Sequence, residues 1–429
     1  MKRLNNNPPK GTYDWFPEEF EIRKYIFDRY RDVCTRFGYR EYLTPLFESA
    51  DIYRAKSGED IGGKELMTFT DKAEREYALR PEMTPSVTRM VSRIYDGEPK
   101  PLRLFSIANF VRNEKPQKGR NREFWQLNFD IFGTRSLNAD IEIAQMTEAI
   151  MQEFNPPSGS YSIYINHRKL IDFVLDQLAQ IEDKLKLEVV RILDKFDKLT
   201  AVQFASRLKE VGINQGQQQT LLDFMQANSG EELIEKLPEV SNSEGYKETE
   251  EILAALSAMG IADNFQFKPN VIRGFDYYDG MVLEVFDNND NNNRSLFGGG
   301  RYDGLGKIYG IDDMPATGVA PGDETMRIFL ENWGLIDQVK RNRANSYYAP
   351  LLSENEDVLL ARDKIATELR DKGEIVEEGL DIQRLGKALD YANKRQLTHV
   401  IILDEREIEE GEYKIKNMST GAEKSVKIN

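Results

Sequence analysis

The residues best suited to chemistry lie between Phe105 and Gly133, in the run FSIANFVRNEKPQKGRNREFWQLNFDIFG. Two apolar-rich arms flank a polar loop holding Gly119, which is an antiparallel hairpin pattern. Side chains alternate faces along a strand, so Arg122, Gln126, Asn128 and Asp130 share one face and Leu127, Phe129 and Ile131 the other. Arg112 ends the first arm beside a loop carrying Lys115, Lys118 and Arg120. One sheet face thus offers a carboxylate and several amides, with guanidiniums at its rim. Planar, permanently charged guanidiniums suit phosphate oxygens. A solvated hairpin with a charged tip fits the same pattern. Glu82 adds a second carboxylate at a strand-to-helix turn, where a capping or salt-bridging role is the simpler alternative. Gly298, Gly299 and Gly300 next to Arg301 permit close backbone approach to a ligand or another strand.

Other chemistries are disfavoured. The only histidines, His167 and His399, have no Ser, Cys or metal-spaced partner, which argues against histidine-based catalysis and metal sites. The single cysteine, Cys34, sits among apolar helix positions and reads as a buried structural thiol. The net charge of -15 argues against coating nucleic acid or anionic membrane, while a local basic patch such as the hairpin tip stays compatible with nucleic acid. No apolar run reaches about 18 residues and the N-terminus lacks a secretory core segment, so a cytoplasmic protein is expected.

The remaining elements must position these groups. With 429 residues, two or three domains are expected. After a mobile arm over 1–10, Pro17 opens a helix with Ile22, Ile26, Tyr30, Val33 and Phe37 on its apolar face, and Gly38 stops it. An extended run over 39–48 contains Pro45, which places it at an edge or interface. Residues 54–75 read as a Gly- and charge-rich loop. A strand then runs into a helix capped by Thr84 and begun by Pro85, with Val87, Met90, Val91 and Ile94 buried. A helix over 139–155 and a strand over 161–165 follow. From about 168 to 260 the chain is helical without chemical motifs, and reads as an insertion. Strands over 271–286 and 296–305 flank the polar loop 287–294, and 316–324 is a strand entering a helix. A polar linker over 336–345 precedes a separate α/β unit, 346–429. In it, a helix carries Leu359, Leu360, Ile365 and Leu369, a mostly parallel sheet is expected, and 411–428 resembles an edge hairpin.

Together these stretches resemble the histidyl-tRNA synthetases, a family of class II aminoacyl-tRNA synthetases. GlyThrTyrAsp (11–14), the helix and Pro45 resemble the motif 1 region that builds the family's dimer interface. Residues 110–124 resemble the motif 2 hairpin. ArgGlyPheAspTyrTyr (273–278) and GlyGlyGlyArgTyrAspGlyLeu (298–305) resemble the two histidine-specific signatures. The C-terminal unit, with residues 385–395, is similar to the anticodon-binding domain. The resemblance implies an α+β catalytic core of antiparallel sheet flanked by helices, over 1–335, plus the C-terminal α/β domain. It implies a homodimer acting on histidine, ATP with Mg²⁺, and tRNA(His), by way of histidyl-adenylate.

It also implies site roles. Arg112 and Arg273 match the catalytic α-phosphate arginines, and Glu114 and Arg120 join them in binding ATP. Glu82, Thr84 and Gln126 match positions holding the α-amino group. Asp130 and Tyr278 match those reading the imidazole, with Tyr277 and Arg273 completing the histidine site. Lys115 and Lys118 are candidates for the tRNA acceptor end, through phosphate. No metal ligand from the protein is assigned. The chain departs from the family at motif 3, where Gly-x-Glu-Arg is usual and Gly322, Asp323, Glu324 and Thr325 stand instead. Thr supplies neither charge nor planar stack, and Arg327 lies about 200° further around a helix. Asp323 is expected to add negative charge near the triphosphate. Besides an active ligase, two readings are open: a non-catalytic histidine-sensing paralogue, such as a synthetase-like regulatory subunit of ATP phosphoribosyltransferase, and a tRNA-binding protein without chemistry. The C-terminal unit argues against the first and the two arginines against the second.

Overall fold

The alternating arms form two ten-residue strands, β5 (Leu102–Val111) and β6 (Glu123–Phe132), paired antiparallel from Leu102↔Phe132 to Val111↔Glu123. The computed structural model describes residues 4–55, 63–117, 119–272, 277–292, 295–336 and 345–428. The chain divides into two compact units, Met1–Asp337 and Gln338–Asn429.

The first unit is built on an eight-stranded sheet. Besides the hairpin it contains β1 (Arg40–Glu41), β7 (Tyr161–His167), β8 (Phe265–Phe267), β9 (Met281–Asp287), β10 (Ser295–Arg301) and β11 (Ala316–Val319). Their order is β1-β5-β6-β11-β10-β9-β7-β8. The interior pairings are antiparallel as expected, whereas β1 on β5 and β8 on β7 are parallel, so the sheet is mixed at its edges. One face carries the main core. Leu127, Phe129 and Ile131 of β6 pack there with Met281, Leu283 and Val285 of β9. Ile26, Tyr30, Val33 and Cys34 of α1 (Pro17–Arg36) cover them, as the three- and four-residue spacing requires.

A second, three-stranded sheet pairs β2 (Phe47–Ser49) and β3 (Met67–Thr70) on either side of β4 (Glu76–Leu79). Strand β3 corrects the loop reading of 54–75, of which 56–62 lie outside the described residues. It is short and lies between charged stretches, but Phe69 stacks on Tyr77 with ring centroids 5.7 Å apart. A short helix, α2 (Ala50–Arg54), follows β2, and α3 (Thr84–Ser92) follows β4. Thr84 is the first helical residue rather than the cap, which is Met83. Ile94 lies beyond the helix end and is 43 % exposed, so the buried stripe stops at Val91.

After α4 (Leu137–Gln152) and β7, the chain enters six α-helices: α5 (Arg168–Phe173), α6 (Asp183–Leu193), α7 (Ala201–Glu210), α8 (Gln215–Met225), α9 (Gly230–Lys236) and α10 (Glu244–Ala258). They enclose their own core of Leu175, Val189, Phe204, Leu221 and Phe224. The last helix also serves the main core, where Ile252 and Leu256 are fully buried, so the helical segment is anchored rather than appended. A further helix, α11 (Asp323–Asn332), follows β11.

The second unit has a five-stranded sheet of β12 (Ser346–Leu351), β13 (Ile375–Ile382), β14 (His399–Ile402), β15 (Glu412–Asn417) and β16 (Glu423–Lys427), in the order β13-β12-β14-β15-β16. Only β13, β12 and β14 are mutually parallel; the 412–427 hairpin adds two antiparallel strands. Helices α12 (Glu356–Asp371), α13 (Leu385–Lys394) and α14 (Glu405–Glu410) complete it. On α12, Val358, Ile365 and Leu369 face the core while Leu360 is 72 % exposed, a correction to the expected apolar face.

Candidate active site

The sheet face opposite the main core is hollowed by small residues. Asp130 on β6 is opposite Gly318 on β11, which is opposite Gly300 on β10. One row along, Ala320 hydrogen-bonds to Gly298, whose partner on β9 is Glu284. Cross-strand neighbours share a face, and Gly298, Gly318 and Ala320 line a cavity of about 820 Å³ there. Added side chains would not fit along these rows. A Cβ on Gly318 would lie 2.0 Å from Asp130 Oδ1, and one on Gly300 would lie 2.3 Å from the Met281 carbonyl oxygen. Arg301, beside the triplet, serves the core side: it pairs with buried Asp140 at 2.7 Å.

One end of the cavity is a buried web of carboxylates and phenols. Tyr302 donates to Asp130 Oδ1 at 2.5 Å, and Asp130 Oδ2 is buried with no hydrogen-bond partner among the described residues. Burial pushes the Asp130 carboxyl up to about 7, against the downward pull of the Tyr302 hydroxyl. Tyr277 donates to Glu82 Oε2 at 3.0 Å. Its ring lies 4.8 Å from that of Tyr278 and 5.9 Å from that of Tyr302. Burial drives the Tyr277 and Tyr302 hydroxyls well above their usual range, so both stay protonated donors. Thr84 lines the same end, at the start of α3. Asn128 Oδ1 is buried without a partner among the described residues, and Gln126 donates to the Ala320 carbonyl at 3.0 Å. Oxygen acceptors without donors are what a small ligand bearing N–H groups would satisfy.

The other end is cationic and aromatic. Arg112 donates through Nε to the Pro81 carbonyl at 3.0 Å, and its guanidinium lies 4.9 Å from the Phe124 ring centroid. The bond to Pro81 fixes the guanidinium plane beside the cavity that Arg112 and Phe124 line. Arg120 pairs with Glu114 at 3.2 Å, and Arg122 donates to the Glu114 carbonyl at 3.1 Å. Lys115 is exposed on the loop and does not line the cavity. Arg273 and Lys118 lie outside the described residues.

Asp323 departs from expectation. Its charge is met by Arg23 of α1 at 2.6 Å, and Oδ1 accepts the Trp125 backbone N–H at 3.0 Å. Burial raises this carboxyl to about 6, with Arg23 opposing. Thr325 donates to the Leu296 carbonyl at 2.7 Å. Arg327 is held by Glu324 and Glu331 of its own helix, at 2.9 and 3.2 Å.

The structure therefore gathers Glu82, Thr84, Arg112, Glu114, Arg120, Gln126, Asp130, Tyr277 and Tyr278 around one cavity. Sequence reasoning missed Tyr302, Phe124 and the contribution of the helical segment, from which Arg168, Leu187, Arg191 and Lys195 also line it. Tyr302 had a signal, since it follows the glycine triplet. The α6 residues had none, because an inward cation on a charged helix looks like any other.

Residues 11–324 match the Histidyl-tRNA synthetase family and residues 347–429 the Anticodon binding domain. The Histidine–tRNA ligase of Leptospira biflexa is 36 % identical over 427 residues, covering 98 % of this chain and 94 % of that protein. That of Pyrococcus furiosus is 35 % identical over 426 residues, covering 98 % and 96 %. Among solved structures, histidyl-tRNA synthetase from a Nostoc species superposes with a TM-score of 0.83 at 22 % identity, covering 99 % of this chain and 97 % of that one. A Bacillus halodurans protein described as an ATP phosphoribosyltransferase regulatory subunit/histidyl-tRNA synthetase gives 0.75 at 21 %, covering 91 % and 97 %. These two structural likenesses show the fold: the α+β core and C-terminal α/β unit expected from the sequence.

Proposed function

The chain belongs to the histidyl-tRNA synthetase family and is a ligase joining histidine to tRNA; on that premise we propose a division of labour within its cavity. Histidine occupies the carboxylate–phenol end and ATP the end carrying Arg112 and Phe124. The observation that carries this reading is Asp130, a buried carboxyl with one oxygen unbonded among the described residues, in the same cavity lining as Gln126 and Asn128.

Asp130 and Tyr278 read the imidazole, whose ring offers one donor and one acceptor. Glu82, Thr84 and Gln126 hold the α-ammonium, with the Tyr277 hydroxyl fixing the Glu82 carboxylate. The histidine carboxylate attacks the α-phosphorus of ATP, the bond to the β-phosphate oxygen breaks, and histidyl-adenylate and pyrophosphate result. Negative charge grows on phosphoryl oxygens, so positioning and electrostatic stabilisation carry the step rather than proton removal. Arg112 serves there with its plane held by Pro81, and Arg273 joins it. Arg120, braced by Glu114, meets the outer phosphates. The histidyl group then passes to the 3′ end of tRNA(His), with Lys115 and Lys118 near the acceptor phosphates.

Among the described residues no group of three or more metal-ligating side chains occurs. Mg²⁺ would arrive on the triphosphate, with Glu114 and Glu324 of the cavity lining as the carboxylates that would help hold it. There it would offset phosphate charge. We assign catalysis to residues 1–335, including the helical segment at about 168–260, anticodon binding to 346–429, and a linker to 336–345. Exposed Tyr13 and Phe16 just before α1, with Phe20 in its first turns, support a homodimer through that region. No described helix is long and apolar enough to cross a membrane, and we place the enzyme in the cytoplasm. A non-catalytic histidine sensor is not favoured, since the full-length relatives are ligases. Charging of tRNA(His) with radiolabelled histidine tests the reading. Product that requires ATP, and is lost in Asp130→Leu, supports it; tRNA binding without charging contradicts it.

A further inference from the structure

The wall between β6 and α11 is held in an unusual way. Strand β11 pairs with β6 as far as Val319↔Phe129, and the Leu127 N–H still reaches the Pro321 carbonyl at 2.8 Å. Beyond it only the isolated bridge Gln126↔Gly322 remains. Proline supplies no N–H, and the chain then turns into a helix, so no strand carbonyl is there to receive the Trp125 N–H. The Asp323 carboxylate takes that place, at 3.0 Å. A carboxylate in this position needs a counter-charge, and Arg23 supplies it at 2.6 Å, the two side chains being 6 % and 3 % exposed. The Trp15 ring lies 3.6 Å from the Arg23 guanidinium carbon and covers it. Asp323 and the neighbours of these groups line the cavity: Phe124 and Gln126 flank Trp125, and Gly322, Glu324 and Thr325 surround Asp323.

We propose that Arg23 and Asp323 are positioning residues for the nucleotide, fixing the separation between Phe124 on β6 and Thr325 on α11 through the Trp125 backbone. Asp323 lines the cavity, but its carboxylate is spent on Arg23 and the Trp125 N–H, so the pair acts through the backbone. This rests on the proposed placement of ATP at that end of the cavity. A buried ion pair exchanged for apolar residues of similar size is commonly neutral or stabilising. Stability alone therefore does not account for this arrangement, whereas a carboxylate acting as a strand carbonyl does. Thr325, the position where the family usually carries arginine, makes the requirement sharper. With no long side chain to adapt its reach, the wall must be set by the backbone.

Two double variants separate the roles. Arg23→Met with Asp323→Asn removes both charges but keeps an oxygen for the Trp125 N–H. Arg23→Met with Asp323→Leu removes the charges and the acceptor. In histidine-dependent ATP–pyrophosphate exchange, the Asn variant is expected to keep the KM for ATP within about threefold of the parent. The Leu variant is expected to raise it by about tenfold or more, with the KM for histidine within about twofold in both. Equal ATP KM values in the two variants overturn the proposal. Trp15→Leu, a change outside the ion pair, gives a second check if the Leu variant does not fold. It is expected to raise the ATP KM about two- to fivefold, and an unchanged value overturns the proposal. Absence of exchange in the parent enzyme would instead overturn the ATP placement, and the proposal with it.

Discussion

The two ends of the cavity are built differently. The end assigned to histidine stands on consecutive rows of one sheet, with Asp130, Gly318 and Gly300 in direct register. Its carboxylates are buried and bonded to phenols. The end assigned to ATP is assembled from a hairpin loop and a helix start, and its Arg120 pairs with neighbouring Glu114. A buried web on a rigid sheet tolerates little change in shape and can discriminate one small ligand. A rim of loops and ion pairs can reorganise when a polyanion arrives, so its losses should appear in rate or ATP affinity instead.

The largest effect should come from Arg112. On the proposed placement Arg112→Ala removes a guanidinium from the developing phosphoryl charge, and a loss of about 10²- to 10³-fold in kcat of ATP–pyrophosphate exchange is expected, with the histidine dissociation constant nearly unchanged. An equal loss of histidine binding by calorimetry would erase the proposed division. Gly318→Ala is the matching break at the other end. Its new Cβ would collide with Asp130 at 2.0 Å, so histidine affinity should fall roughly a hundredfold while ATP binding persists. Retention of histidine affinity would show that the ligand does not lie on this floor.

A pH experiment sharpens the contrast without substrate. Burial holds Asp130 at about 7, against an ordinary value of 3.8. The folded chain keeps a proton there that the unfolded chain has released. The stabilisation is therefore full below about pH 4 and is lost as the pH rises towards 7. Asp130→Asn should raise Tm by about 2–4 °C at pH 8 and leave it unchanged near pH 4, as read by scanning calorimetry. A variant Tm that tracks the parent at both pH values would remove the desolvated acid from the account. The smallest effect is expected from Thr325→Arg, which adds a guanidinium to the cavity lining that Thr325 shares with Phe124. About a two- to fivefold lower ATP KM should follow; a raised KM would mean that Phe124 and Thr325 do not face a common ligand.

The same contrast explains what could be read from the sequence. Alternation along 105–133 gives both arms of the hairpin and puts Gln126, Asn128 and Asp130 together, because a two-residue period is a local property. The helix stripe of Ile26, Tyr30 and Val33 is local in the same sense. Long-range facts are not. Asp323 reads as a charge aimed at phosphate, but Arg23, 300 residues earlier, takes it away. Arg301 sits beside a glycine triplet and yet serves Asp140 on the core side. Strand β3 exists through pairing with β4 rather than through its own pattern. Leu360 shows the reverse failure: a leucine at a helical spacing need not face inward, since a shift of one residue turns a side chain by about 100°.

The central claim is that one cavity joins histidine to the α-phosphate of ATP. Pyrophosphate exchange into ATP, measured for histidine beside the other standard amino acids over a wide ATP range, tests it most directly. The account predicts exchange with histidine alone, lost in Asp130→Leu and Arg112→Ala. Folded enzyme that binds histidine but supports no exchange at saturating ATP would contradict it.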